Sequence, residues 1–245
     1  GTINAFAASI SGAGSFAGNG SAALNFMGRQ AVARISSSSN VESINDVSVT
    51  SDDRSVIYSG SAQISGSSSV AIGAAVAYND LETQVTATIA DSSVSSTTGA
   101  VKVLATSHNT LGVVAAGISG GGAGGGAGSS SVNLVSSKVK AEITNATVVS
   151  AGTLQVEARS HDSLSNYLGT LGVGGTIGVA GSVVVNDFSN STRAYIADSA
   201  IDTGSGDAVS TRGWNDGTND FQDISRSGLV VVASSEMEIA EQVAV

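Results

Sequence analysis

The sequence predicts an all-β protein, a parallel β-solenoid built from four repeats of about 54 residues. Three observations carry this expectation. Columns of like residues recur every 53 or 54 positions along the whole chain. Apolar and polar residues alternate inside each copy. The composition suits a thin interior in which backbones lie close together.

The repeat is read from independent columns. Asn25, Asn79, Asn133 and Asn186 end similar runs and lie 54, 54 and 53 residues apart. Fifteen residues before them stand Ile10, Ile64, Ile118 and Leu171, and ten residues after them Ile35, Ile89, Ile143 and Ile196. Ala33, Ala87, Ala141 and Ala194 precede those isoleucines by two. Paired apolar positions close the pattern at Val47/Val49, Val101/Val103, Leu154/Val156 and Leu229/Val231. The copies run over 1–54, 55–108, 109–161 and 162–245, as one repeat domain. From Val148 to Leu154 is six residues, but from Ile201 to Leu229 is 28, so the last copy carries about 22 extra, roughly 204–225.

Alternation such as Leu154, Val156, Ala158 with Gln155, Glu157, Arg159 between them has period two, the mark of a strand with one buried face. The stretch 234–245 could pass for a helix but aligns with strand in the other copies. Strands at fixed spacing stack into coils ~4.8 Å apart, and the four asparagines then form a ladder of amides along the axis. With coils of about twenty residues, each copy holds two or three of them. The rival architecture is a stack of antiparallel hairpins, which 168–186 with its Gly174-Gly175 pair permits.

Composition narrows the function. The chain has 31 Gly, no Pro, no Cys, 12% charged residues and a net charge of -10. Absent Pro fits interior strands, which cannot spare an N–H, and frequent Gly and Ser fit tight corners. With three lysines and seven arginines against 20 acids, the chain is poorly equipped to neutralise phosphates, so no nucleic acid is expected. No stretch reaches the ~20 unbroken apolar residues of a membrane helix, so no membrane insertion is expected either.

Three motifs, Gly178–Asp187, Thr192–Asp202 and Gly152–His161, give the repeat its character. They are a small-residue strand ending in V-N, a V-x-A-x-I-like strand, and a G-x-V-x-V-x-A-x-S strand. This set resembles the repeats of large secreted filamentous adhesins, the filamentous haemagglutinin-like and leukotoxin-type filamentous adhesins of bacteria. The resemblance covers nearly the whole chain except the insertion. It implies secretion, an extracellular or cell-surface location, a fibrous passenger and an adhesive or structural role. It implies no catalytic residues.

Other constellations read mostly as scaffold. The glycine-rich run 118–129 lacks the Lys-Ser/Thr end and following helix of a phosphate loop, and reads as close backbone packing. His108 and His161 are 53 residues apart and share a column with Arg54 and Glu236, which reads as an exposed turn position rather than part of a triad. The insertion is where chemistry concentrates: Trp214, Phe221 and the acids Asp216, Asp220 and Asp223. Its plainest reading is a surface loop covering the solenoid flank. The functional readings are a partner contact through Trp214 and Phe221, or a calcium site on Asp216, Asp220 and Asp223. No other cofactor is expected.

The expectation for function is a structural extracellular segment of an adhesin or self-assembling fibre, not an enzyme. The alternative is a β-helix that binds or cleaves polysaccharide through the 204–225 insertion, with host or surface glycans as ligands. The chain starts and stops at nearly the same phase of the repeat, and neither end reads as a cap. Its expected partners are therefore identical chains stacked head to tail, or further repeats of the same polypeptide.

Overall fold

A computed structural model of the chain describes residues 1–245 apart from Asp216 and Asn219, and only the backbone of Trp214. The described residues form strands and connections with no helix. Each turn of the chain makes a long strand, a second long strand and a short one. The strands are β1 (Thr2–Ala13), β2 (Phe16–Ile35) and β3 (Asn40–Ser43); β4 (Val47–Ser67), β5 (Val70–Ala90) and β6 (Ser93–Ser96); β7 (Val101–Gly121), β8 (Gly124–Thr144) and β9 (Thr147–Ser150); β10 (Leu154–Gly174), β11 (Ile177–Ala197) and β12 (Ala200–Thr203). A hairpin, β13 (Val209–Asn215) and β14 (Asp220–Arg226), precedes the last strand, β15 (Leu229–Ala244).

Three parallel sheets result: β1-β4-β7-β10-β15, then β2-β5-β8-β11, then β3-β6-β9-β12. We call them A, B and C. The parallel solenoid expectation holds. The antiparallel alternative does not, because β10 and β11 lie in different sheets and antiparallel pairing occurs only between β13 and β14 among the described residues. Register follows the sequence columns: Asn25, Asn79, Asn133 and Asn186 pair in order, as do Ile35, Ile89, Ile143 and Ile196. Leu154 pairs with both Val101 and Leu229, so the extra residues leave the register of sheet A intact.

The expectation of two or three coils per copy is wrong. One copy makes one coil. The reason is strand length: β4, β5, β7, β8, β10 and β11 each run 21 residues, because nothing in the alternating pattern breaks them earlier. At ~3.3 Å per residue each rung is about 70 Å wide, while the rungs rise only ~4.8 Å each. The molecule is a flattened slab, broad across the strands and thin along the axis.

Sheets A and B pack face to face. Two apolar clusters fill the space between them. One, at the end that sheet C closes, holds Val49, Ile89, Val103, Ile143, Leu154 and Val156. The other holds Ile57, Leu81, Leu111, Val135 and Leu164. A polar layer separates them: Asp53 takes Arg29 at 2.8 Å, Thr83 donates to Asn109 at 3.2 Å, and Asn109 donates to Asp162 at 2.6 Å.

The corners use local chemistry. Where sheet B turns into sheet C, Ser37, Asp91, Asn145 and Asp198 all adopt positive φ in the same column. Asp and Asn tolerate this left-handed region because their short side chains bond locally; here Asn145 donates to Asp91 Oδ1 at 2.6 Å. At the arch from sheet A to sheet B the glycines serve close approach: a Cβ on Gly125 would lie 2.1 Å from the carbonyl oxygen of Val173. The run 118–129 is thus strand and arch, packed as its composition implies.

Candidate functional site

The insertion lies on the outer face of sheet A, over β10 and β15. Strand alternation puts Gln155, Glu157, Arg159 and His161 on that face, and the hairpin lands on them. Thr153 Oγ1 donates to the Asp207 carbonyl at 2.9 Å, and Gln155 Nε2 to that of Ser210 at 3.1 Å. The Arg212 amide donates to Glu157 Oε1 at 3.0 Å. The Arg212 guanidinium grips Glu236 with two bonds, at 2.7 and 3.0 Å. Arg159 pairs with Glu157 as well. The docked hairpin buries Gln155, Glu157, Thr211 and Val230, three of which alternation alone would leave in solvent.

Beside the hairpin runs an open groove lined by Thr106, His108, Arg159, His161, Arg212, Asp223 and Glu236. The two imidazoles stack at 6.0 Å between centroids, and His161 Nδ1 lies 3.8 Å from Glu236 Oε2. Burial first, then the positive charge of Arg54, pushes His108 below its ordinary value, so it is neutral at physiological pH. The hydrogen bond from Arg212 holds the Glu236 carboxyl below its ordinary range, against desolvation. Glu236 is therefore an anion clamped by a guanidinium, with little basicity to offer. Asp162 follows His161 in sequence but faces the interior, away from the imidazole, where it accepts from Asn109. The groove can hold a small polar or anionic group by ionic contact.

The histidine column stacks as expected: Arg54 pairs with His108, His108 with His161, and His161 with Glu236. Its place differs from expectation. It is mid-strand on an outer face, not at a turn, because the strands are too long for a corner there.

Of the candidate calcium ligands, Asp216 lies outside the described residues. Asp220 pairs with Asn215 in the hairpin and Asp223 with Arg212, and Asp223 sits 3.9 Å from Arg159. Among the described residues no three His, Asp or Glu side chains converge as a metal site would require. Trp214 and Phe221 are paired across the hairpin register.

The structural ladder is intact. Asn25 Nδ2 donates to Asn79 Oδ1 at 2.8 Å, Asn79 to Asn133 at 2.7 Å, and Asn133 to Asn186 at 2.9 Å. Asn166 joins from the opposite sheet, donating to Asn186 at 3.0 Å. The sequence reading missed Asn166, and missed that Gln155 and Glu157 anchor the insertion. No column marks Asn166, whose equivalents are Ser59 and Val113.

The chain matches no known protein family, no curated protein and no solved structure.

Proposed function

We propose that this chain is a structural segment of an extracellular, adhesin-like fibre, located at a bacterial cell surface, and that its rungs continue into further rungs. The observation that carries this reading is the state of the two slab faces normal to the axis. Strands β1, β2 and β3 have a parallel neighbour on one side only, and so do β15, β11 and β12. Each presents a row of backbone groups that accepts another strand. The side chains on those edges belong to the same ladders as the interior rungs, with Asn25 at one end and Asn186 at the other. A new rung, from the same polypeptide or a second copy, extends the ladders, with Glu241 giving up the Asn186 amide it now accepts from. Such head-to-tail contact does not close on itself and grows a filament.

The test is imaging and sedimentation of the purified chain over a range of concentrations. Ribbons about 70 Å wide, one strand length, with a ~4.8 Å repeat along their axis are expected. A sharp, concentration-independent monomer with no ribbons on the grid overturns stacking between chains.

A further inference from the structure

The half of the slab around the A-to-B arch carries almost no charge and turns apolar side chains outward. Its charge distribution shows this first. Residues 2–28, 55–79, 109–137 and 163–186 contain no Asp, Glu, Lys, Arg or His at all. These four runs are the distal parts of the four rungs, and each begins and ends at nearly the same level of the fold. Inward-facing residues there are mixed. Next to the polar layer Ile57, Leu111, Val113 and Leu164 form the second apolar cluster. Toward the tip serines pair across rungs, Ser65 with Ser119 at 2.8 Å and Ser129 with Ser182 at 2.9 Å, alongside the asparagine ladder. Outward-facing residues are apolar. Ile10, Ile64, Ile118 and Leu171 form one outer column on sheet A and are 80, 47, 45 and 52% exposed. Sheet B shows the same on its outer face, with Ile72, Val179, Val183 and Val185 exposed.

We propose that this charge-free arch is a wedge that embeds in the hydrocarbon of a lipid bilayer. The geometry fits. From Arg54 to the arch, and from the arch to Asp80, is 10 to 14 residues per strand, or about 33–46 Å, against ~30 Å of bilayer hydrocarbon and 9–11 residues for a membrane-crossing strand. The parallel ladders satisfy the backbone within the wedge, as an apolar medium demands. Three of the four tyrosines, Tyr58, Tyr78 and Tyr167, lie on these faces two to six residues from the charged margin, where an interfacial belt would place them. The fifth strand of sheet A, β15, is the exception: Glu238 lies beside Ser163 at the margin, and Glu241 lies beside Asn166 within the wedge, where it accepts from Asn186.

A second copy of the chain is a poorer occupant. A flat partner covers one face, yet here the four runs leave both outer faces and the Ser- and Gly-rich tip without charge together, up to the end strand β15. A surrounding apolar medium accounts for all three. The expectation of no membrane insertion used a criterion for helices. A strand shows its apolar face only at alternate residues, so no unbroken run exists to detect. Open backbone edges at the end rungs oppose insertion of a lone slab, so binding should rise cooperatively with protein concentration. The proposal goes beyond the fibre reading and is tested separately from it.

The test is flotation of the folded chain with phosphatidylcholine vesicles. The chain has no cysteine, so Ser68→Cys at the tip and Ser48→Cys in the charged half each take one environment-sensitive label. Co-flotation that survives about 1 M salt is expected, with lipid-buried quencher reaching the label at 68 and not at 48. Ile64→Asp with Ile118→Asp places charge on an already exposed face and should leave the fold unchanged in water. It should lower the bound fraction by at least about tenfold. Absence of flotation, equal quenching at both labels, or binding indifferent to the two aspartates overturns the proposal. So does a result in which those aspartates abolish self-association in a chain that never binds vesicles, which would assign the face to a second copy.

Discussion

Single residues show how this interior tolerates polarity. Asp162 is buried between the sheets, and burial holds its carboxyl above the ordinary range despite hydrogen bonds from Asn109, Asn190 and Ser160. A carboxyl whose folded pKa is raised binds its proton better folded than unfolded. Its stabilisation is complete below the unfolded value and is lost as pH rises through the folded one. Asp162→Asn removes that loss. Asparagine already occupies this column at Asn109, and the unpartnered Oδ1 of Asn190 can accept from the new amide after a flip. The variant should melt no lower than the parent at pH 7, with its relative advantage shrinking toward about pH 4. A clear loss at pH 7 would show that the charge is needed where it is. Ile143 is the apolar counterpart, fully buried between Ile89 and Ile196. Ile143→Ala should cost about 2–5 kcal/mol in denaturant melts, the usual range for such a cavity.

Elements are held by fit between sheets as much as by ladders within them. Gly73 on β5 faces Gln63 on β4, and a Cβ there would lie 1.9 Å from Gln63 Oε1. The Gln63 amide is itself buried without a partner. Gly73→Ala should therefore cost about 1–3 kcal/mol, as overpacking does. In a Gln63→Ser background, matching Ser9 in the same column, that cost should vanish. Equal cost in both backgrounds would mean that the strain lies in the backbone. The hairpin β13–β14 is a different kind of element, attached by polar contacts to an outer face. Removing 204–225 should leave the parallel sheets intact by circular dichroism, since Leu154 and Leu229 are already in register. It should also lower the melting temperature modestly, because it uncovers Glu157 and Val230. Unfolding on deletion would make the hairpin part of the core.

At the scale of the whole molecule the slab is divided across its width. The half closed by sheet C has an apolar core and charged outer faces, the ordinary arrangement in water. The arch half mixes a small apolar cluster with Ser and Asn between the sheets and turns apolar, uncharged faces outward. Growth along the axis and contact through the arch use different surfaces, so they should separate experimentally. Charges at Ile64 and Ile118 should leave ribbon formation intact, whereas a proline in β11 at a position whose N–H faces the open edge, such as Val184→Pro, should block it by removing a donor that a new rung needs, while the pairing of β11 to β8 stays. Electron microscopy of the two variants side by side reads this out. Loss of ribbons in the aspartate variant would place the arch in the growth contact.

The amino-acid pattern alone determined what repeats and what aligns. The asparagine columns, the V-x-A-x-I isoleucines and the histidine pair are in register because equal spacing in a parallel stack forces equivalent residues onto neighbouring rungs. It also determined that strands would alternate faces. Which face is inside was decided only in three dimensions. The columns of Ile10 and Ile35 look alike in sequence, yet one is exposed and the other packs against the core, because the arch sets Ser, Asn and Gln between the sheets over one stretch and Val, Ala and Ile over another. Coil size was likewise tertiary: nothing local tells a strand of six residues from one of 21 until its partner sheet shows where the chain turns back. The seat of the insertion was invisible too. Gln155, Glu157 and Arg159 are ordinary solvent-facing residues by alternation, and only the hairpin folded back over β10 turns them into anchors. Spacing is a property of the chain, but burial belongs to whatever the fold brings against it.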